Sequence, residues 1–213
     1  MSASLRVVLV DDHDIVRSGL RRLLEQNDGM QVVAEADNGE QAYKLFGELL
    51  PDVLVMDISM PGMGGLESLR RIISRFPAAK IVIFSMHENV AFATKALTIG
   101  ARAYVAKAGM GNDVLRAVRE VAAGRSYINP DMAQKIAFQN LSGGDDPVRQ
   151  LSPREFEVFR LLAEGNNVDE IAGMLSISQK TAANYQTILK QKLGISSPVD
   201  LVRLAIRQGL IEG

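Results

Sequence analysis

Short apolar runs alternate with amphipathic stretches along the first part of the chain. The runs are rich in Val, Ile and Leu and are bounded by turn residues, which is typical of buried strands. Between them, apolar side chains recur at the spacing of one helix face. Five strands alternating with five helices predict a doubly wound α/β fold, with a five-stranded parallel sheet between two helical layers. The predicted strands cover residues 6–10, 31–36, 52–57, 80–84 and 102–106.

The pattern changes after residue 124, where the alternation of strands and helices stops. Residues 125–148 are rich in polar and turn residues and predict a linker that contains one short helix. From residue 149 to 213 the apolar spacing is helical and predicts four short helices. We therefore expect an α/β domain over 1–124, a linker over 125–148 and an all-α domain over 149–213.

The predicted all-α domain has a recognisable helix start. Ser152 occupies the N-cap position, Pro153 the first helical position, and Glu155 completes a capping box. The turn at 176–178 joins the second and third helices in three residues, which is typical of a helix-turn-helix. The third helix is predicted over 179–193.

Composition narrows the class of protein. With 47% apolar and 23% charged residues, the chain has the balance of a soluble globular protein. No apolar run approaches the roughly 20 residues that span a bilayer. The absence of cysteine excludes disulfides and thiolate metal sites. The first residues lack the length and cleavage site of a signal peptide, so we expect a cytoplasmic protein without a membrane partner.

Polar side chains follow four of the predicted strands at the point where each strand ends. Asp11 and Asp12 follow the first strand, Asp57 the third, Ser85 the fourth and Lys107 the fifth. Because such folds bind ligands at the carboxyl ends of their strands, we expect these side chains to share one crevice. Three carboxylates in one crevice repel each other, and a Mg²⁺ ion relieves that repulsion while leaving a position for a phosphate oxygen.

This set of residues predicts transfer of a phosphoryl group to a carboxylate. Asp57 can attack phosphorus as a nucleophile and form an aspartyl phosphate. Lys107 can pair with one phosphoryl oxygen and Ser85 can donate a hydrogen bond to another. Taken one at a time, the same residues are explained as a helix cap, a turn, a loop hydroxyl and a solvated lysine. Their shared position at the strand ends favours the phosphoacceptor.

His13 and His87 are the only histidines in the chain. They lack the clustered ligand partners of a zinc site, so we interpret both as loop or surface residues. An alternative for His87, two positions after Ser85, is control of the phosphate lifetime through water access.

The motifs around the predicted crevice resemble the receiver domain of bacterial response regulators. These motifs are Val10–His13, Met56–Gly65, Phe84–Ser85 and Tyr104–Lys107. The resemblance covers residues 5–124 and implies a flavodoxin-like fold in which Asp57 takes a phosphoryl group from a sensor histidine kinase. It also implies that Ser85 and Tyr104 shift on phosphorylation and alter the face formed by the fourth helix, fifth strand and fifth helix.

The same resemblance implies a magnesium site. Asp12, Asp57 and the main-chain carbonyl of Ser59 would bind Mg²⁺, with Asp11 acting mainly through water. A protein of this kind accepts a phosphoryl group and can autodephosphorylate, but it is not a turnover enzyme.

A second group of motifs resembles the LuxR-type helix-turn-helix and covers about 149–211. These motifs are Leu151–Glu155, Leu162–Gly165, Glu170–Ala172, Ser176–Thr181, Leu189–Gly194 and Leu201–Ile206. Together the two groups make the chain resemble a NarL/FixJ-type response regulator, and Val168 and Tyr185 resemble the Gac-type subgroup. The implied function is a DNA-binding transcriptional regulator switched by phosphorylation. The implied partners are double-stranded DNA and, on activation, a second copy of the chain, with RNA polymerase as a further candidate.

The helix predicted over 179–193 is the expected DNA-binding element. The net charge of the chain is −1, but residues 178–193 carry three lysines and no acidic residue. Asn and Gln side chains can address base edges, while Lys neutralises phosphates. The candidate DNA-binding residues are Lys180, Thr181, Asn184, Tyr185, Gln186, Lys190 and Lys192.

Four positions depart from the LuxR-type pattern. Ala182 and Ala183 follow Thr181, where many relatives carry Val-Lys, Asp169 replaces a lysine, and Tyr185 replaces a histidine. Because phosphate anchors are missing, we expect weak DNA binding by the monomer, rescued by dimerisation on two half-sites about one helical turn apart. The same departures leave open an adaptor whose last domain binds protein. A Mg²⁺-dependent phosphatase is a third interpretation, but it usually needs an acid where this chain has Ser59.

Overall fold

A parallel sheet forms the centre of the N-terminal domain. The computed structural model describes residues 4–27, 29–109, 111–141 and 147–211. The strands are β1 Leu5–Val10, β2 Met30–Ala36, β3 Val53–Met56, β4 Ile81–Ser85, β5 Ala103–Ala106 and β6 Tyr127–Ile128. All neighbouring strands are parallel, in the order β2-β1-β3-β4-β5-β6. This order places the ends of β1, β3, β4 and β5 beside one another.

Helices cover both faces of the sheet. They are α1 Asp14–Glu25, α2 Gly39–Leu49, α3 Gly65–Arg75, α4 Val90–Ile99 and α5 Asn112–Ala122. Alternate strand residues enter two different cores, because successive side chains point to opposite faces. Val8 and Leu54 belong to the core that includes α2, α3 and α4, whereas Val7 and Val53 belong to the core that includes α1 and α5. The predicted doubly wound fold is confirmed.

The number of strands is the part of the fold prediction that is wrong. The predicted sheet has five strands, but Tyr127 and Ile128 form a sixth strand that pairs with Ala103 and Tyr104 of β5. The segment lies within the predicted linker. Two residues are too short for an alternating pattern to be recognised, and tertiary contacts define the strand instead. The Tyr127 side chain is buried, and its hydroxyl donates a hydrogen bond to Asp113 Oδ1 at 2.9 Å.

Helix α6, Pro130–Leu141, follows β6 and corresponds to the short helix predicted in the linker. It packs against α4. Residues 142–146 of the predicted linker lie outside the described residues. A short 3₁₀ helix, Pro147–Gln150, leads into the C-terminal domain.

The C-terminal domain consists of four helices at the predicted positions. They are α7 Pro153–Ala163, α8 Val168–Met174, α9 Gln179–Leu193 and α10 Pro198–Arg207. Both hydrogen bonds of the predicted capping box between Ser152 and Glu155 are present at the start of α7. Ser178 caps α9 by accepting a hydrogen bond from the Thr181 N–H, and Gly194 ends the helix in the left-handed conformation.

The two domains pack against each other through α3 and α4 on one side and α7 on the other. Phe92 of α4 meets Phe156 of α7 edge to face, with 5.0 Å between ring centroids. Lys95 of α4 is buried and donates hydrogen bonds to the main-chain oxygens of Arg149 and Leu151, which precede α7. Among the described helices, none has the length and apolarity needed to cross a bilayer.

Candidate functional site

A buried group of charged side chains lies at the carboxyl edge of the sheet. Asp11 follows β1, Asp57 follows β3 and Lys107 follows β5, and each is 5% exposed or less. The Lys107 Nζ atom lies 2.6 Å from Asp11 Oδ2 and 2.7 Å from Asp57 Oδ2. The structure therefore brings together three of the side chains that the strand-end rule placed in one crevice.

The carboxylate of Asp57 is held by the main chain as well as by Lys107. Its Oδ1 accepts the Ile58 N–H at 2.6 Å and the Ser59 N–H at 3.3 Å. The turn that follows needs glycine at position 65, because a Cβ there would collide with the Asp57 main-chain oxygen. These contacts fix both the direction of the carboxylate and the path of the loop after β3.

The protonation of the pair follows from burial and from mutual attraction. Burial raises the pKa of Asp57, and the hydrogen bond with Lys107 offsets this only in part. Burial alone lowers the pKa of Lys107, but its hydrogen bonds with Asp11 and Asp57 outweigh that effect and raise the pKa. Lys107 therefore remains charged at neutral pH and is the fixed cation of the site.

The pocket has the donor set of a hard divalent cation. Asp11, Asp12, His13 and Asp57 each offer one ligand atom, and these atoms lie within 4.8 Å of one another. Asp11 Oδ2 has the Lys107 ammonium as its partner, whereas within the described chain the buried Asp12 Oδ1 accepts no hydrogen bond, although His13 lies at ion-pair distance. One ammonium group cannot balance three carboxylates. The residues present fit a magnesium ion, which prefers carboxylate and water oxygens.

Ser85 and Tyr104 lie beside this pocket, and the side chains of both form hydrogen bonds with the main chain of His87. Met56 and Ile83 are partners in the β3–β4 register, so Asp57 and Ser85 follow at the same edge of the sheet. The Ser85 Oγ atom is buried and accepts the His87 N–H at 3.2 Å. The Tyr104 hydroxyl donates to the His87 main-chain oxygen at 2.7 Å, and burial raises the pKa of this phenol.

The loop after Asp57 also contacts the C-terminal domain. The Gly62 N–H donates to the Met174 oxygen at 3.2 Å, and the Gly62 oxygen accepts from Arg154 at 3.0 Å. Arg154 also donates to the Leu175 oxygen, at the end of α8. One arginine thus joins the loop of the carboxylate pocket to the turn before α9.

Next to this contact, Glu157 of α7 lies against Gly64. The glycine has a φ of +68°, and a Cβ there would collide with the Glu157 carboxylate. Glu157 pairs with Arg154 at 2.8 Å and is 6% exposed. Burial raises the pKa of Glu157 to about 7, although Arg154 and Arg160 oppose the shift.

The candidate DNA-binding residues of α9 differ in solvent exposure and in ion pairing. Lys180, Thr181, Asn184 and Lys190 are exposed, whereas Tyr185 and Gln186 are half-buried. Tyr185 borders a cleft that is shared with Arg70 and Arg71 of α3. Lys192 is held by Glu155, with 2.8 Å between Nζ and Oε2. That ion pair competes with any phosphate contact by Lys192.

Comparison with known proteins identifies both halves of the chain. Residues 7–119 match the family model "Response regulator receiver domain", and residues 149–205 match "Bacterial regulatory proteins, luxR family". The Response regulator GacA of Pseudomonas aeruginosa is 39% identical over 210 residues, which cover 98% of each chain. The Response regulator UvrY of Escherichia coli is 38% identical over 208 residues, 97% of this chain and 95% of that protein. The chain belongs to the two-component response regulators.

Solved structures give the same assignment. RcsB of Salmonella enterica, bound to a promoter with a phosphomimetic, is 30% identical with a TM-score of 0.69, covering 94% of this response regulator and 98% of that chain. A LuxR-family response regulator from Aurantimonas is 45% identical with a TM-score of 0.63, covering 65% of this chain and 99% of that one. This protein is therefore a DNA-binding response regulator of transcription, and the Gac-type resemblance agrees with its relatives.

The departures at the start of α9 have different structural meanings in this response regulator. Ala182 is 1% exposed and belongs to the core of the C-terminal domain. Position 182 therefore faces the core and is not a place for a phosphate contact. Ala183 and Asp169 are exposed, and neither adds positive charge to the surface.

Both histidines lie in loops, as the sequence analysis expected, but each has contacts that the sequence analysis did not predict. His13 is exposed as expected, with 62% of its side chain accessible, but its Nδ1 lies 2.9 Å from Asp12 Oδ1. His87 is half-buried, and its ring makes specific contacts on both sides. Loop conformation determines these contacts, and residue spacing gives no signal for them.

Proposed function

We propose that Asp57 accepts a phosphoryl group from a sensor histidine kinase in a Mg²⁺-dependent step, and that the phosphorylated chain binds double-stranded DNA as a dimer through α9. The observation that carries the proposal is the buried Asp57 carboxylate, directed by two main-chain N–H groups and paired with Lys107. The receiver and LuxR-type domains in one chain support the link from phosphorylation to transcription.

The transfer step needs little covalent chemistry from the protein. An oxygen of Asp57 attacks phosphorus, and the bond from phosphorus to the kinase histidine nitrogen breaks, with its electron pair staying on that nitrogen. Lys107 meets the charge of the phosphoryl oxygens, because its ammonium group is already at the Asp57 carboxylate. Ser85 donates to another phosphoryl oxygen once its hydroxyl turns towards Asp57.

Magnesium fits the carboxylates that Lys107 leaves unbalanced. We assign Asp12, Asp57 and the Ser59 main-chain carbonyl as its ligands, with Asp11 acting through water. When bound, Mg²⁺ supplies positive charge that keeps Asp57 ionised and neutralises the transferring group.

DNA recognition is assigned to the exposed side of α9. Lys180 and Lys190 contact phosphates, while Asn184 and Gln186 reach base edges; Thr181, Tyr185 and Lys192 complete the candidate set. Structures of RcsB on promoter DNA, including one of two RcsB dimers on two DNAs, support a dimer for this chain too. We expect a twofold-symmetric site and weak binding by the monomer. We also propose that this protein acts in the cytoplasm and contacts RNA polymerase.

The test is phosphorylation with a small acyl- or amido-phosphate donor and Mg²⁺, followed by intact mass measurement and size-exclusion chromatography. We expect a mass gain of one phosphoryl group and a shift towards dimer. Both should be absent from Asp57→Asn and from samples with EDTA. Asp52→Asn, at the opposite end of β3, is the matched control and should behave as the wild type. A phosphoryl adduct on Asp57→Asn would overturn the assignment.

A further inference from the structure

His87 contacts three polar residues around the carboxylate pocket, namely Ser59, Ser85 and Tyr104. Its Nε2 atom lies 2.8 Å from Ser59 Oγ, in the loop after Asp57. Its main-chain N–H donates to Ser85, and its main-chain oxygen accepts from Tyr104. The side chain and main chain of one residue therefore join the loop after β3, the end of β4 and the middle of β5.

The His87 ring also contacts α4, on the side towards the C-terminal domain. The ring stacks on Phe92 of α4, with 4.0 Å between centroids and 3° between ring planes. Phe92 in turn meets Phe156 of the C-terminal domain, and both phenylalanines are 1% exposed. Burial lowers the pKa of His87 to about 4, so the ring is neutral at physiological pH and can stack without a desolvated charge.

We propose that His87 is a positioning residue that holds the C-terminal domain in its docked arrangement and releases it when Asp57 is phosphorylated. The release half of this inference rests on the proposed phosphorylation of Asp57. The docking half rests only on the contacts of the unphosphorylated chain.

The release follows from how the supports of His87 are shared with the pocket. In this structure Ser85 Oγ accepts the His87 N–H, and a rotation of that hydroxyl towards a phosphoryl group on Asp57 moves the acceptor away. Ser59, the ring partner, also donates its N–H to Asp57 Oδ1, the carboxylate that phosphorylation changes. Phosphorylation of Asp57 therefore disturbs both the main-chain hydrogen bond of His87 to Ser85 and its side-chain hydrogen bond to Ser59.

Loss of these supports frees the His87 ring from Phe92. Phe92 then loses the partner that fixes its edge against Phe156, and the population shifts from the docked to the undocked arrangement. Aromatic pairs depend strongly on ring geometry, so a small displacement of the loop is enough to weaken the domain contact.

The natural absence of cysteine makes the test direct, because two introduced cysteines are the only labelling sites. Spin labels at Lys44→Cys and Val199→Cys, both exposed and outside the pocket, report the distance between the domains. The docked fraction is measured by pulsed electron resonance before and after treatment with the phosphate donor. Intact mass of the same samples reports phosphorylation separately.

Three substitutions separate the contacts of His87. His87→Ala loses the stack and the bond to Ser59, His87→Gln loses the stack but keeps a group that can bond to Ser59, and His87→Phe keeps only the stack. We expect the undocked fraction of unphosphorylated protein to rise severalfold in His87→Ala and His87→Gln, but not in His87→Phe. Met86→Ala, the exposed neighbour, is the control and should match the wild type.

A second substitution on the other domain tests the same path. Phe156→Leu should undock the unphosphorylated chain as His87→Ala does, and the double variant should be no more undocked than either single one. Independent effects that multiply, or a docked His87→Ala that is like the wild type, would overturn the inference. If Asp57 takes no phosphoryl group in any sample, the proposed function fails while the unphosphorylated variants still decide the docking role.

Discussion

The carboxylate pocket and helix α9 differ in how their polar side chains are held. In the pocket, Asp11 and Asp57 are buried, and each lies at hydrogen-bond distance from the buried Lys107. On α9, Lys180 and Lys190 are exposed and are held by no ion pair within the described chain. The charged groups of the pocket are thus already positioned by one another, whereas these lysines of α9 face solvent.

This difference predicts how substitutions in each region should affect stability and affinity. A residue of the pocket shares its partners with two or three others, so its removal leaves buried groups unpaired. A residue of α9 faces water, so its removal changes affinity in small, separable steps. Large effects from pocket variants and graded effects from α9 variants would support the comparison, and the reverse would break it.

The largest effect is expected for Lys107→Ala. Removal of one partner of a buried ion pair costs about 4 kcal/mol, because the remaining charges stay buried. We expect the free energy of unfolding to fall by that amount in EDTA and to recover in part with Mg²⁺. Denaturant titration measures both. Lys44→Ala, whose pair with Glu48 is 3.9 Å long and exposed, should change stability little; an equal loss in both variants would contradict the prediction.

A smaller effect is expected from pH at the contact between the domains. Burial raises the pKa of Glu157 to about 7, with Arg154 and Arg160 of α7 opposing the shift and Glu67 of α3 adding to it. In the undocked form the pKa of the Glu157 carboxylate returns to its ordinary value. As the pH rises from about 5 to about 7, the undocked form ionises first, so docking weakens by on the order of 3 kcal/mol, and above that window no further change is expected.

Glu157→Gln removes this titration. The variant should show a docked fraction that is constant from about pH 5 to about pH 8, whereas the wild type undocks across the window. The domain distance measured with the two spin labels reports the fraction. Glu164→Gln, at the exposed residue that directly follows α7, is the control, and an unchanged pH profile in Glu157→Gln would refute the assignment.

On α9, a matched pair of lysines gives a graded prediction. Lys190→Ala should lower DNA affinity equally for all sequences and reduce the logarithmic salt slope by about 0.9, the value for one phosphate contact. Lys192→Ala should reduce the slope by less, because Glu155 already holds that ammonium group. Binding isotherms at several salt concentrations test the difference. Equal slopes for the two variants would mean that the ion pair opens on DNA.

The smallest effect is expected at the cap of α9. Ser178→Ala removes the acceptor of the Thr181 N–H and should destabilise the C-terminal domain by about 1 kcal/mol. Ser196→Ala, an exposed loop position, is the control and should stay within about 0.5 kcal/mol of the wild type. Thermal unfolding of the two variants provides the measurement.

The pocket could be predicted because it follows from a topological rule. Asp11, Asp57 and Lys107 end different parallel strands, and strand ends converge whatever the loops do. The start of α7 was equally accessible, since its capping box depends on local spacing alone. The sixth strand was missed because its two residues are defined by pairing with β5 and not by a pattern of their own.

The contact between the domains could not be predicted for a different physical reason. Glu157 is a charged residue between apolar residues of α7, so the sequence alone suggests that it faces solvent. In the structure it is buried against Gly64 of the other domain. Arg154 likewise reaches the Gly62 oxygen across a large separation in sequence. Such contacts depend on how two folded domains meet, and neither periodicity nor a family motif specifies that arrangement for this chain.

The most direct test is the ratio of DNA affinities with and without phosphorylation, measured on one near-palindromic DNA for the wild type and for Asp57→Asn. We expect a severalfold or larger gain in affinity for the wild type after treatment with the phosphate donor and Mg²⁺, and no gain for Asp57→Asn. An equal gain in both proteins, or none in a wild-type sample whose mass shows a phosphoryl group on Asp57, would contradict the assignment of Asp57 as the switch.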